Sequence, residues 1–154
     1  MSHSIWTPSP SGSTASRQRC RDGFHVRRGV KALVTTSDGS VLLIRERHAD
    51  GTPFWTLPGG GVQHGESATG ALEREVAEEL QCTCVPGAAR TAFPYVHCSR
   101  HRTASVYVVY DCALLTRPRP NGAHGVTAAR WASPESLPSG TLPQVRAVVS
   151  EHVA

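Results

Sequence analysis

The sequence predicts an α+β domain with a substantial antiparallel component, on three observations. Apolar stretches of strand length dominate the chain after residue 25, one amphipathic helix interrupts them, and a second helix closes the chain. At 154 residues the chain fits one domain around one hydrophobic core, and its apolar and charged fractions are those of a globular protein.

Residues 1–25 are rich in Ser, Pro, Thr, Gly and Arg and lack apolar periodicity. Such a segment buries too little to offset its ordering entropy, so it reads as a disordered tail preceding a domain at 26–154. Val30 to Thr36, a Ser37-Asp38-Gly39 turn and Val41 to Arg45 form a hairpin pattern. The short apolar run Phe54 to Leu57 follows, and Pro58 with three glycines then predicts a break in regular structure. Ser67 is placed to cap a helix over Ala68 to Leu80, where Leu72, Val76 and Leu80 recur every four residues as a buried stripe. Strands are predicted around Cys82 to Val85, Thr91 to His97 and Thr103 to Leu115, with a further short one at Ala128 to Ala132. Ser133-Pro134 carries a cap and first-turn signal, and Pro143 to Val153 reads as the closing helix with Val145, Val148 and Val149 inward.

No apolar run approaches the roughly 20 residues needed to cross a bilayer, and the first twenty residues contain no signal-peptide core. Arg27-Arg28 is not followed by the uninterrupted apolar stretch of an export signal, so a cytoplasmic location is expected. Five scattered cysteines, Cys20, Cys82, Cys84, Cys98 and Cys112, do not form a paired framework and read as reduced thiols, with Cys82, Cys84 and Cys98 as a weaker metal alternative. The net charge of +4 conceals an asymmetry. Five of the twelve acidic residues lie between Glu66 and Glu79, where Arg74 is the one basic residue. An acidic cluster in a basic body suits a metal site that serves a polyphosphate. The basic residues are dispersed and no aromatic-basic stacking platform is visible, which speaks against nucleic acid as the partner.

On a helix, Glu75, Glu78 and Glu79 stand at i, i+3 and i+4 and share one face, about 100 degrees from the apolar stripe. Like charges so placed repel by a few tenths of a kcal/mol per pair. A hard divalent cation such as Mg²⁺ or Mn²⁺ would compensate; a solvated acidic face is the alternative.

The surrounding residues decide between them. Gly60, Glu66, Arg74, Glu75, Val76, Glu78, Glu79 and Cys82 fall in register with the Nudix box, meeting eight of its nine specified positions, and Trp55 to Gly60 resembles the family's lead-in. The chain thus resembles a Nudix hydrolase, a likeness that Arg130-Trp131-Ala132-Ser133-Pro134-Glu135 extends toward the end of the domain. The resemblance implies an α/β/α sandwich with a mixed sheet between helices, and metal-dependent hydrolysis of a nucleoside diphosphate linked to another moiety. It implies Mg²⁺ or Mn²⁺ on Glu78 and Glu79, with Glu75 as a further ligand or the base and the Gly59 carbonyl completing the shell. Arg74 would orient a glutamate, the loop at Gly60 would let backbone approach the phosphates, and Arg45 would contact the nucleotide. The family includes many dimers, so a homodimer is consistent with it. A catalytically silent Nudix domain that senses a nucleotide or binds a protein is the alternative, which the intact glutamate set disfavours.

Two positions depart from the pattern. Gln81 stands where the box has its late glycine, at a cost of roughly 1 kcal/mol if the backbone there is left-handed. The loop before the last strand, Asn121 to Arg130, lacks the acid many relatives carry and offers His124, which reads as a solvated loop residue more readily than as a substitute ligand or base.

Overall fold

The computed structural model describes the backbone of residues 17–19, 25–97 and 103–153. Its strands are β1 (Arg17–Arg19), β2 (His25–Leu33), β3 (Val41–Arg47), β4 (Pro53–Thr56), β5 (Gly59–Gly61), β6 (Cys84–His97), β7 (Thr103–Leu114) and β8 (Ala128–Ala132). The helices are α1 (Ala68–Leu80) and α2 (Pro143–His152), and Gly122–His124 forms a 3-10 turn.

The strands form two sheets. One has the order β1-β2-β7-β6, with β5 also on β2; the other has the order β4-β3-β8. The β2–β7 pair is parallel and the other pairs are antiparallel, so the first sheet is mixed. Side chains alternate across a strand, and in β3 both faces are buried: Leu42 and Ile44 join one core cluster with Leu72, Val76 and Leu80 of α1. Val41 and Leu43 join the other with Val145, Val148 and Val149 of α2. A strand covered on both sides must be apolar at consecutive positions, which explains the unbroken Val41-Leu42-Leu43-Ile44 run. The sheets therefore lie between two helices, the sandwich that the sequence implies. Among the described residues no helix is long and apolar enough to span a membrane.

The structure corrects several local expectations. Gly59–Gly61 is a short strand rather than a break, with Val30 opposite Gly60, because backbone pairing requires no side chain. Of the two segments expected at Cys82 to Val85 and Thr91 to His97, Cys84–Val85 and Thr91 to His97 are parts of one strand, β6, while Cys82 and Thr83 precede it; its register shifts between Pro86 and Thr91 absorb a proline that cannot donate to the ladder. Ser133-Pro134 makes a turn closed by Ser136 N–H donating to the Ser133 carbonyl, 3.0 Å, and the next helix starts at Pro143. Of the predicted tail, Arg17–Arg19 pairs with Arg27 to His25 along an edge of β2, since a free edge offers hydrogen bonds without burial of apolar side chains. The rest of residues 1–24 lies outside the described ones, as do Cys20 and Cys98. Cys82, Cys84 and Cys112 are free thiols buried in the core beside α1.

Helix α1 is fixed at both ends. The Ser67 side chain accepts from Gly70 N–H at 3.0 Å. At the other end Gln81 is left-handed, φ 52°, and its N–H donates to the Ala77 carbonyl. The next three carbonyls are met by a distant loop: Glu78 by Asn121 Nδ2 at 2.8 Å, Glu79 by Asn121 N–H at 3.0 Å and Leu80 by Arg119 N–H at 2.7 Å. All four carbonyls that a helix end leaves unpaired are thus satisfied without a glycine. Gln81 Nε2 reaches the Arg119 and Pro120 carbonyls at 3.4 and 3.3 Å, tying the same loop to the helix.

Candidate functional site

The site is assembled where α1 packs on the glycine loop. Gly59 has φ +138°, and a Cβ there would lie 2.1 Å from the Val30 carbonyl oxygen, so no other residue fits. Its N–H donates to Glu79 Oε1 at 2.8 Å. A Cβ at Gly60 would lie 2.5 Å from the Glu75 carboxyl carbon; the missing side chain is the space this carboxylate occupies.

The glutamates share a helix face but not an environment. Glu79 is 7% exposed, and burial pushes its pKa up to about 8, reinforced by Glu46 and Glu75 and opposed by Lys31 and the Gly59 N–H. Glu75 and Glu78 are more open and are both held by Arg74 Nη1, at 3.0 and 3.2 Å. Arg74 Nε and Nη2 grip Glu66 at 2.7 and 3.0 Å, and Nη2 also reaches the Gly61 carbonyl at 2.9 Å. All five N–H donors of the guanidinium are thereby used, and a single side chain joins helix, loop and three carboxylates. The hydrogen bonds to Glu66, then those to Glu75, raise the Arg74 pKa further above its already high value, while Glu66 is held below the ordinary carboxylate range by the same partner.

Lys31 and Glu46 belong to this region and went unrecognised in the sequence. Lys31 is 6% exposed and donates to the Leu57 and Gly59 carbonyls at 3.1 and 3.4 Å, with its ammonium 4.8 Å from the centre of the Tyr107 ring. Burial opposes its charge, but Tyr107, Glu46, Glu79 and Glu75 outweigh burial and leave its pKa raised. A lysine between Val30 and Ala32 was the available signal. Glu46, in an Arg-Glu-Arg run, looks like part of a solvated strand end, yet burial raises its pKa as well.

Both residues line a cavity of about 470 Å³ together with His48, Phe54, Tyr95 and Tyr107. Arg45, expected at the nucleotide, is not among its lining residues. Its Nε donates to Thr127 Oγ1 at 2.9 Å and its guanidinium lies 5.7 Å from the centre of the Trp55 ring. His124 is exposed on the 3-10 turn, on the loop that caps α1. His124→Ala should therefore change kcat/KM by less than about threefold across pH; a thirtyfold loss, or disappearance of an acid limb present in the parent, would make it a ligand or base.

The carboxylates of Glu75, Glu78 and Glu79 and the Gly59 carbonyl could supply a cation with oxygen ligands, the kind that hard ions such as Mg²⁺ or Mn²⁺ take. Among the described residues no three acidic, His or Cys side chains converge tightly enough to hold a metal unaided.

Residues 25–153 match the family model described as NUDIX domain. Among solved structures, the chain is similar to the MutT protein of Methanosarcina mazei Go1, with TM-score 0.70 and 23% identity over 82% of this chain and 91% of that one. A MutT NUDIX hydrolase from Burkholderia pseudomallei gives TM-score 0.69 and 23% identity over 82% and 98%. A NUDIX hydrolase from Nitrosomonas europaea gives 0.69 and 20% over 81% and 86%. At these identities the likeness concerns the fold. Comparison with curated proteins finds no match.

Proposed function

Because the chain belongs to the NUDIX domain family, a family of pyrophosphohydrolases, we propose that it hydrolyses the diphosphate bond of a nucleoside diphosphate linked to another moiety, with Mg²⁺ or Mn²⁺ as cofactor. The observation that carries this reading is Glu79, a buried carboxylate hydrogen-bonded to the Gly59 N–H, with Lys31 joining the Gly59 carbonyl to the wall of a cavity. An acid whose burial raises its pKa to about 8 is costly to a merely structural helix; a bound cation would supply the missing charge.

Glu75, Glu78, Glu79 and the Gly59 carbonyl would hold the cation, whose chemistry is to neutralise phosphate charge and lower the pKa of the attacking water. The chain's own residues do the positioning. Arg74 sets the Glu75 and Glu78 carboxylates relative to the glycine loop, and Glu75, lying over Gly60, would act either as a further ligand or as the base that takes a proton from water. Lys31 fixes the Leu57 and Gly59 carbonyls and brings a positive charge beside the glycine loop.

The test is a panel of nucleoside triphosphates, nucleotide sugars, ADP-ribose and dinucleoside polyphosphates, monitored by phosphate and nucleotide release. Turnover of at least one class is expected with Mg²⁺ or Mn²⁺, and its loss in excess EDTA. Full turnover in EDTA would sink the metal-dependent mechanism, and binding without turnover of any class would favour a silent sensor domain.

A further inference from the structure

We propose that Asn121 is a positioning residue for the diphosphate hydrolysis: by pairing the main-chain carbonyls of Glu78 and Glu79 it fixes the last turn of α1 and, with it, the carboxylates that this turn carries. The inference rests on the reading of the site as a hydrolase and names what holds two of its glutamates from outside the helix.

The need arises from where these glutamates stand. Glu78 and Glu79 belong to the last turn of α1, which ends at Leu80. Carbonyls there have no partner within the helix, and a turn left so is the part of a helix that frays. Fraying displaces side chains, and at this helix end the side chains belong to the site. Glu79 Oε1 accepts from the Gly59 N–H at 2.8 Å, a contact that joins the last turn to the glycine loop and weakens steeply once the groups move apart.

Asn121 meets the turn twice. Its Nδ2 donates to the Glu78 carbonyl at 2.8 Å and its main-chain N–H to the Glu79 carbonyl at 3.0 Å, while the Arg119 N–H reaches Leu80 at 2.7 Å. The remaining side-chain atom, Oδ1, accepts from the Ala123 N–H at 3.1 Å and starts the 3-10 turn. Residues 119 and 121 both aim their N–H groups at the helix, and Pro118 and Pro120 beside them have no N–H to leave unpaired. Each proline also fixes its own φ and restricts the residue ahead of it, so the donors are carried on a stiff segment. At its far end the loop is tied to β3, where the Thr127 N–H donates to the Arg45 carbonyl at 2.9 Å. Leu115 to Thr127 contain no Asp or Glu, and among the described residues none of their side chains forms an ion pair with Glu75, Glu78 or Glu79. What this loop gives the glutamates it gives through their backbone.

The experiment compares Asn121→Asp and Asn121→Ala with the parent. It reads amide exchange at Gly59 in EDTA against Val76 in the middle of α1, then kcat and KM at saturating Mg²⁺ on the nucleotide of the panel that the parent turns over fastest. Aspartate is nearly isosteric, keeps the acceptor for the Ala123 N–H and the main-chain donor to Glu79, and loses the donor to Glu78. A role limited to starting the 3-10 turn predicts that Asn121→Asp behaves as the parent. The positioning role predicts that both variants speed exchange at Gly59 by at least about tenfold relative to Val76, and lower kcat by at least about tenfold with KM little changed. Should Asn121→Ala fail to fold, Asn121→Asp against the parent decides. Gln81→Gly is the control, because glycine suits the left-handed backbone and only the Nε2 contacts with Arg119 and Pro120 are lost; both readouts should stay within about threefold of the parent. Asn121 variants that leave either readout unchanged in an active enzyme would overturn the proposal, as would a Gln81→Gly variant that reproduces their losses. If Gly59 responds while the parent turns over no nucleotide, Asn121 does hold the helix end and the hydrolase reading fails. If nucleotides are hydrolysed and Gly59 does not respond, the hydrolase reading stands and the positioning role fails.

Discussion

Glu79→Gln is expected to lower kcat by a hundredfold or more and, in the metal-free protein, to raise stability at pH 8. The first effect follows from removing one charge-bearing group at a phosphate site, worth on the order of 3 kcal/mol. The second follows from burial. Glu79 titrates near pH 8 in the folded chain against about 4.5 when unfolded, so the folded state holds a proton that the unfolded state has released between those values. Below about pH 4.5 both states are protonated and the residue costs nothing. As pH rises to 8 the stability of the parent falls, by an amount on the order of a few kcal/mol. The amide carries no such charge and still offers an oxygen to the Gly59 N–H, so the variant should lack this slope. Thermal melts in EDTA at pH 5, 6, 7 and 8, parent against variant, measure the difference. Identical slopes would show that Glu79 is ionised in the apo protein at no cost. Unimpaired turnover in the variant would place the cation elsewhere.

The parts of this site that are local in sequence were legible there. The four-residue period of Leu72, Val76 and Leu80 with Ser67 in front predicts α1 to the residue, and the spacing of Glu75, Glu78 and Glu79 predicts their shared face. Gln81 takes the left-handed backbone that its place in the box requires, although no sequence rule announces how the strain is offset. That compensation comes from Asn121, forty residues on, whose partner carbonyls belong to backbone and leave no trace in residue identity. Lys31 and Glu46 are hidden for a related reason. Each looks like an ordinary strand residue, and their meaning arises only when β2 and β3, belonging to different sheets, bring them to one cavity. Arg45 shows a different limit: a strand-end arginine near the glycine loop invites a binding role, and its contacts with Trp55 and Thr127 are formed by residues 10 and 82 positions away, which the sequence does not announce. Gly59–Gly61 illustrates a third limit, since glycines usually mark a break, and only the pairing partner reveals a strand.

Arg74→Lys is the substitution expected to uncouple the site without removing a glutamate. Lysine keeps the positive charge, so a role limited to charge balance predicts little change. The arrangement here is different, because three guanidinium nitrogens at fixed angles hold Glu66, Glu75, Glu78 and the Gly61 carbonyl together. An ammonium has three donors around one atom and cannot span helix and loop at once. Loss of the fork should release Glu75 and Glu78 toward solvent and loosen Gly61, costing about 1–3 kcal/mol of stability at a side chain 23% exposed. Catalysis should suffer more, with kcat down roughly a hundredfold, since a carboxylate displaced by about 1 Å no longer meets the water or cation. The two effects separate by measurement: urea unfolding reports the clamp, and kcat against KM under saturating Mg²⁺ reports the positioning. A fall in kcat with KM little changed is the signature of lost orientation. If Arg74→Lys keeps both stability and kcat within about threefold of the parent, the guanidinium network is incidental and the glutamates are placed by the helix alone.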